Sequence, residues 1–359
     1  MIGRPPNADL KLVQFGSSPV RLSIVVPCYN EEAVIGECSS RLRVVIEELI
    51  QAGKITSDSQ IVFVNDGSRD KTWEMIQKLC ETDAVFSGIC LSRNFGHQGA
   101  LLAGLHAAPG DALISIDADL QDDIGVIAKM VDCFHQGYDV VYGVRRERKT
   151  DTFFKRTTAL AFYRLMHILG TRTIYNHADF RLMSRRAIEA LKEYSEGSLF
   201  LRGIVPLVGF PSTSVFFDRA ERFAGETKYP LRKMIELSVS AITSFSATPL
   251  RLITLTAAFG VFASFAIGVW VVLTRIFYKT AVPGWTSILL PILFIGSLNL
   301  LASGVIGEYL ARVFDEVKAR PRYLIASIVN LGGAGVNLRE AGNAGAGARA
   351  SRTGIAAPQ

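Results

Sequence analysis

The sequence predicts an α/β domain built on a mostly parallel, Rossmann-like sheet, joined to two transmembrane helices. Three observations carry that expectation. From Arg21 onward, short apolar runs alternate with helix-like stretches, the pattern of strands covered by crossover helices. Residues 252–274 hold no charge over 23 positions, and a second uncharged stretch from Thr280 to Gly307 is interrupted only by Pro283 and Pro291. Both are long enough to cross a bilayer. Apolar residues make up 49% of the 359, an excess that these two stretches concentrate.

The elements follow in order. "RLSIVV" reads as a first strand and precedes a helical segment from Glu31 to about Ala52. "QIVFVN" precedes a helix over Asp70–Cys80, for which Ser68 or Asp70 can act as N-cap. "GICL" leads to His97–Ala108, "ALISID" to Ile124–Phe134, and "DVVYG" closes the series. In such sheets ligands bind beyond the carboxyl ends of the strands. The polar clusters there are "PCYNEE", "NDGSRD", "SRNFGHQ" and "DADLQDD".

The expected organisation is a loose N-terminus over 1–20, the α/β domain over 21–228, and a juxtamembrane segment over 229–251. Spans at 252–274 and 285–307, a second juxtamembrane segment over 308–331 and a disordered tail over 332–359 complete it. The tail holds seven Gly and eight Ala and cannot bury a core. Residues 153–169 form a basic amphipathic pattern that either lies in the membrane interface or packs on the domain's own core. Gly260, Ser264 and Gly268 make a small-residue stripe suited to close helix packing.

Seven Lys and Arg flank the outer ends of the two spans (Arg232, Lys233, Arg251, Arg312, Lys318, Arg320, Arg322), against Arg275 and Lys279 between them. That asymmetry places both termini and the domain in the cytoplasm, as a multi-pass protein of the cell (inner) membrane. Residues 1–20 lack the apolar core of a signal peptide. Five cysteines with no metal-site spacing read as reduced thiols. The formal charge of +6 suits work beside anionic lipid or phosphates, and nothing points to nucleic acid.

The aspartate cluster carries the chemistry. Asp117 and Asp119, separated by one residue at a strand end, can both turn toward a hard divalent cation, with Gln121 adding a neutral oxygen. The bland alternative is a solvated acidic loop. Asp122 and Asp123 read as a helix N-terminus, where acidic groups oppose the macrodipole. Asp66 ends another strand, with Gly67 permitting a tight turn, and Pro27, Tyr29, Asn30 and Glu31 end the first.

Taken in order, "SIVVPCYNEE", "VFVNDGSRDKT", "LSRNFGHQGALLAGL", "ISIDADLQDD", "VYGVRRER", "ADFRLMSRRAIEAL" and "ERFAGETKYPLRKM" resemble family 2 inverting glycosyltransferases. More narrowly, they resemble the polyprenyl-phosphate hexosyltransferases related to dolichol-phosphate mannose synthase, in the subgroup with two C-terminal spans that makes undecaprenyl-phosphate glucose or a similar lipid-linked sugar. The resemblance covers about residues 21 to 325.

It implies a GT-A fold and transfer of a hexose, glucose favoured, from a UDP-sugar to polyprenyl phosphate for cell-envelope glycosylation. Pro27, Tyr29, Glu31 and Asp66 would hold base and ribose. Asp117, Asp119 and Gln121 would hold Mg2+ or Mn2+ on the diphosphate. Arg145 would reach phosphate, Asp179 and Arg181 of "DFRL" would sit by the reacting centre, with Arg181 on the acceptor phosphate, and Arg222 and Lys228 would grip that phosphate. Ala178 and His177 depart from the family pattern before "DFRL". A homo-oligomer is compatible with this reading. The alternatives are a nucleotide-sugar-binding membrane scaffold without transferase activity, or a synthase acting on another acceptor. A processive synthase normally adds a "QxxRW" box, which is absent here.

Overall fold

The computed structural model describes residues 18–145, 177–194, 201–218, 285–318 and 320–331, with individual helical positions between 253 and 277. The expectations for 1–17, 153–169, the 260/264/268 stripe, Arg222, Lys228 and the tail from 332 fall wholly or mainly outside the described residues.

Eight strands form one sheet in the order β7-β5-β6-β4-β1-β2-β3-β8. The first five are β1 (Leu22–Cys28), β2 (Gln60–Asn65), β3 (Phe86–Leu91), β4 (Ala112–Ser115) and β5 (Val140–Arg145). The centre is parallel: β1 pairs with β2 and β4, and β2 with β3. Every residue of β1 and β2 is buried, as expected for strands covered on both faces.

The helices explain that burial. Ile24, Val26, Ile61 and Phe63 share one core with α1 (Ile35–Gln51), α2 (Thr72–Thr82) and α4 (Ile127–His135). The alternate residues face α3 (His97–Ala107). There Gly104 approaches so closely that a Cβ would run into Val25 and Val64. α3 is buried continuously from Gly99 to Leu105, because α5 (Arg185–Lys192) packs against it as well.

Three strands depart from the strand–helix rhythm. β6 (His177–Ser184) carries "DFRL" and inserts antiparallel between β4 and β5. β7 (Ser212–Phe217) pairs parallel with β5 at one edge. β8 (Ile325–Val329) pairs antiparallel with β3 at the other, so part of the segment expected to be juxtamembrane completes the sheet.

Asn330 fixes the end of that strand. Its backbone is left-handed (φ 56°), its side chain donates to Phe86 O at 2.9 Å, and its carbonyl accepts from Ser87 Oγ at 2.8 Å.

The described residues fall into two units, the sheet domain including 321–331 and a helical unit ending at Arg320. In the latter, α6 (Trp285–Lys318) runs 34 residues, longer than the expected span over 285–307, and absorbs Pro291. Its Phe294–Lys318 portion is long and apolar enough to cross a membrane. Phe294, Leu300, Leu301 and Leu310 are all exposed.

Candidate active site

Four loops converge beyond the carboxyl ends of the central strands. The first two are stitched together. Asn30, itself left-handed (φ 55°), donates its N–H to Ser68 Oγ at 3.0 Å and accepts from Arg69 N at 2.9 Å. Glu31 N donates to Thr72 Oγ1 at 2.9 Å, and Glu32 accepts from Lys71 N at 3.1 Å. Tyr29 stays 43% exposed above them.

Asp66 is buried beneath. Its two carboxylate oxygens accept from Phe95 N (2.7 Å) and Gly96 N (2.9 Å), which shapes the loop entering α3. Burial raises its pKa, and those two N–H groups oppose the rise. Gly67 (φ 65°) is required here, since a Cβ would lie 2.6 Å from the Arg93 carbonyl carbon.

The third loop therefore delivers His97 and Gln98 at the first turn of α3, two residues to which the sequence reading gave no role. His97 Nε2 lies 3.5 Å from Asp117 Oδ1 and 3.6 Å from Asp179 Oδ2. Desolvation pulls the imidazole pKa down, but the Asp179 hydrogen bond and the two carboxylate charges leave it raised. Gln98 Nε2 donates to Asp179 Oδ2 at 3.3 Å.

The fourth loop holds the aspartates. Asp117 and Asp119 are partly exposed, Gln121 is buried, and Gln121 N donates to Asp119 Oδ1 at 3.2 Å. Between them Leu120 adopts φ 57° although it has a side chain, a conformation held by its burial. Asp123 caps the next turn as expected, accepting from Gly125 N at 2.9 Å. Asp122 does something else: it is buried and accepts from Arg145 Nε (3.2 Å) and Nη2 (2.9 Å). Arg145, expected on phosphate, is thus held by a carboxylate of the metal-type loop itself.

The donor set fits a divalent cation. Desolvation raises Asp117, His97 opposes the rise, and the Asp179 and Asp119 charges add to it. Crowded carboxylates of this kind are relieved by a cation whose remaining coordination is filled by phosphate oxygens. Among the described residues, no group of three His, Cys, Asp or Glu is placed to hold a metal ion by itself, so such an ion would rest on Asp117, Asp119 and Gln121 together with phosphate oxygens.

Asp179 is the hub. Arg181 Nη2 donates to its Oδ1 at 2.7 Å, and Arg202 forks onto it through Nε (3.1 Å) and Nη2 (3.0 Å). Burial alone would raise its pKa, but His97, Arg181 and Arg202 hold the carboxyl well below its ordinary value. Arg181, expected on the acceptor phosphate, is 1% exposed, and its guanidinium donates to Asp179 and to Leu201 O. Arg202, absent from the sequence reading, is the more exposed arginine of the hub.

Comparison with known proteins places this arrangement. Residues 23–192 match the family described as Glycosyl transferase family 2. An uncharacterized glycosyltransferase, YkoT, of Bacillus subtilis (strain 168) is 52% identical over 86% of this chain and 92% of its own length. A protein named Bactoprenol glucosyl transferase, of Shigella phage SfX, is 41% identical over 86% of this chain and 99% of its own. Among solved structures, glucosyl-3-phosphoglycerate synthase from Mycobacterium tuberculosis, in complex with Mn2+, UDP and glucosyl-3-phosphoglycerate, is 20% identical. It aligns with a TM-score of 0.40 over 62% of this chain and 78% of that one.

The family match and these relatives show that the α/β domain with its mostly parallel sheet is that of a glycosyltransferase. The chain belongs to glycosyl transferase family 2.

Proposed function

We propose that the enzyme transfers glucose from UDP-glucose to a polyprenyl phosphate, with inversion at the anomeric carbon. The observation that carries this reading is the 41% identity, over 86% of the chain, to a protein named Bactoprenol glucosyl transferase. The product would be a lipid-linked sugar serving cell-envelope glycosylation.

The residues support that chemistry. A phosphate monoester has its second pKa near ~6, so the attacking oxygen is already largely ionised at neutral pH and needs no strong base. Asp179 agrees with this, since a carboxyl held well below its ordinary pKa is a poor proton acceptor. Its task is to hold cationic groups in place.

Tyr29, Pro27 and Glu31 would line the base and ribose, with Asp66 beneath them. Asp117 and Asp119, with Gln121, would hold Mg2+ or Mn2+. That ion would offset charge developing on the leaving diphosphate. Arg222 and Lys228 would grip the acceptor phosphate at the membrane surface.

The apolar, exposed α6 supports membrane association. The arrangement we propose is two spans, over 252–274 and within α6, with the catalytic domain on the cytoplasmic side.

The test is incubation of the purified protein with polyprenyl phosphate and a panel of nucleotide sugars, followed by mass spectrometry of the lipid. A hexosylated lipid phosphate formed with UDP-glucose and Mg2+ or Mn2+ is expected. Donor binding without any lipid product would favour the scaffold alternative.

A further inference from the structure

Arg202 stands on the short helical turn Leu201–Ile204, which is tied to the hub at several points. Leu201 N donates to Gln98 Oε1 at 3.3 Å, while the other end of that amide donates to Asp179. Leu201 O accepts from Arg181 Nη1 at 3.4 Å. Gln98 therefore sets the turn, and the turn sets the fork of Arg202 on Asp179.

Among the described residues the charge count at Asp179 is uneven. One carboxylate faces two guanidiniums, with the His97 ring alongside. Arg181 needs Asp179, because a buried guanidinium left unpaired is strongly destabilising. Arg202 does not have that need. Its side chain is 40% exposed, so its guanidinium keeps access to water and would not be stranded without the pair. Arg181 already gives Asp179 a buried partner, so neutralising that carboxylate does not by itself call for a second arginine.

Its placement does fit anion binding. A guanidinium immobilised on one side by a carboxylate loses little freedom when it meets a second anion. The His97 ring bridges the same carboxylate to Asp117, within 4 Å of each.

We propose that Arg202 binds a substrate phosphate oxygen, with Asp179 and Gln98 as the residues that position it. The inference rests on the transferase reading above. The shared chemistry is phosphate recognition, and the source is either the donor diphosphate or the acceptor monophosphate.

The experiment compares the full-length wild type, Arg202→Gln and Arg202→Lys in detergent micelles. It measures melting temperature, UDP affinity in Mn2+ by calorimetry, and the KM for polyprenyl phosphate with kcat. Arg202→Gln is expected to lower kcat/KM by about 10- to 100-fold, the worth of one charge-assisted hydrogen bond, while the melting temperature barely moves. Arg202→Lys should recover part of the loss.

A matching fall in UDP affinity assigns the contact to the donor. Unchanged UDP affinity with a raised acceptor KM assigns it to the lipid phosphate. If both variants retain wild-type kinetics, or lose activity only as they lose stability, Arg202 is a clasp for the turn and the proposal fails. A wild type that binds UDP but never glucosylates the lipid refutes the transferase reading instead. In that case the UDP affinities of the variants still decide whether Arg202 meets a donor phosphate.

Discussion

The two histidines of α3 occupy opposite ends of one helix and are shifted in opposite directions. At the N-terminal end, His97 sits between Asp117 and Asp179, and its pKa is raised. At the C-terminal end, His106 Nδ1 lies 3.0 Å from Tyr323 Oη, on the segment leading into β8, and its Nε2 is buried with no hydrogen-bond partner among the described residues. Burial first, then the charges of Lys192 and Arg322, push its pKa down to about 4. One end of the helix faces carboxylates. The other faces cations and helps hold the returning strand. Identical side chains on a shared rigid element thus separate chemistry from scaffold, and each assignment can be broken independently.

The largest expected effect belongs to the chemical end. Asp119→Ala should lower transfer by about a thousandfold or more, since a lost metal ligand forfeits several kcal/mol of charge stabilisation. Asp119 is only partly buried, so the melting temperature should stay near wild type. Transfer within about tenfold of wild type would remove the metal assignment.

His97→Ala should come next, with kcat down by about 10- to 100-fold and little change in stability, because the ring is 42% exposed. If stability falls and kcat does not, His97 belongs with the scaffold and the comparison collapses.

The scaffold end predicts a pH effect of defined sign. With His106 near 4 when folded and about 6.5 when unfolded, the unfolded chain binds the extra proton between those values. The stability that neutral His106 contributes is complete above about pH 6.5 and is lost as pH falls toward 4, by up to about 3 kcal/mol. Melting temperatures measured across that window should fall more steeply for wild type than for His106→Gln. Parallel curves would show that this histidine is not desolvated.

The smallest effect is Tyr323→Phe, which removes one partly buried hydrogen bond. It should cost about 1 kcal/mol in denaturant unfolding and leave kcat unchanged. A drop in kcat without a drop in stability would mean that the strand anchor acts on the chemistry.

Much of the central sheet was legible because its strands are continuous apolar runs followed by polar loops. The segments β1 to β5 and their helices follow that pattern closely. β6 was not legible as a strand, because Asp179 and Arg181 made "HADFRLMS" look like a functional box; it is both. β8 was hidden by its position after a long apolar helix, where "IASIV" read as juxtamembrane.

At the site, sequence position showed which residues sit beyond strand ends but not which of them are spent on one another. Arg181 and Arg202 illustrate this, since only the fold shows that the first is buried and the second partly exposed. For His97 and Gln98 a signal was available: they close "SRNFGHQ", one of the clusters marked at a strand end, and begin a helix.

The most direct test of the account is UDP binding by calorimetry, with and without Mn2+, on the wild type and Asp119→Ala. If the end of β4 is a metal–diphosphate site, Mn2+ should tighten UDP binding by the wild type at least about tenfold and leave Asp119→Ala unaffected. Equal UDP affinity in all four measurements, or an equal Mn2+ effect on both proteins, would contradict it.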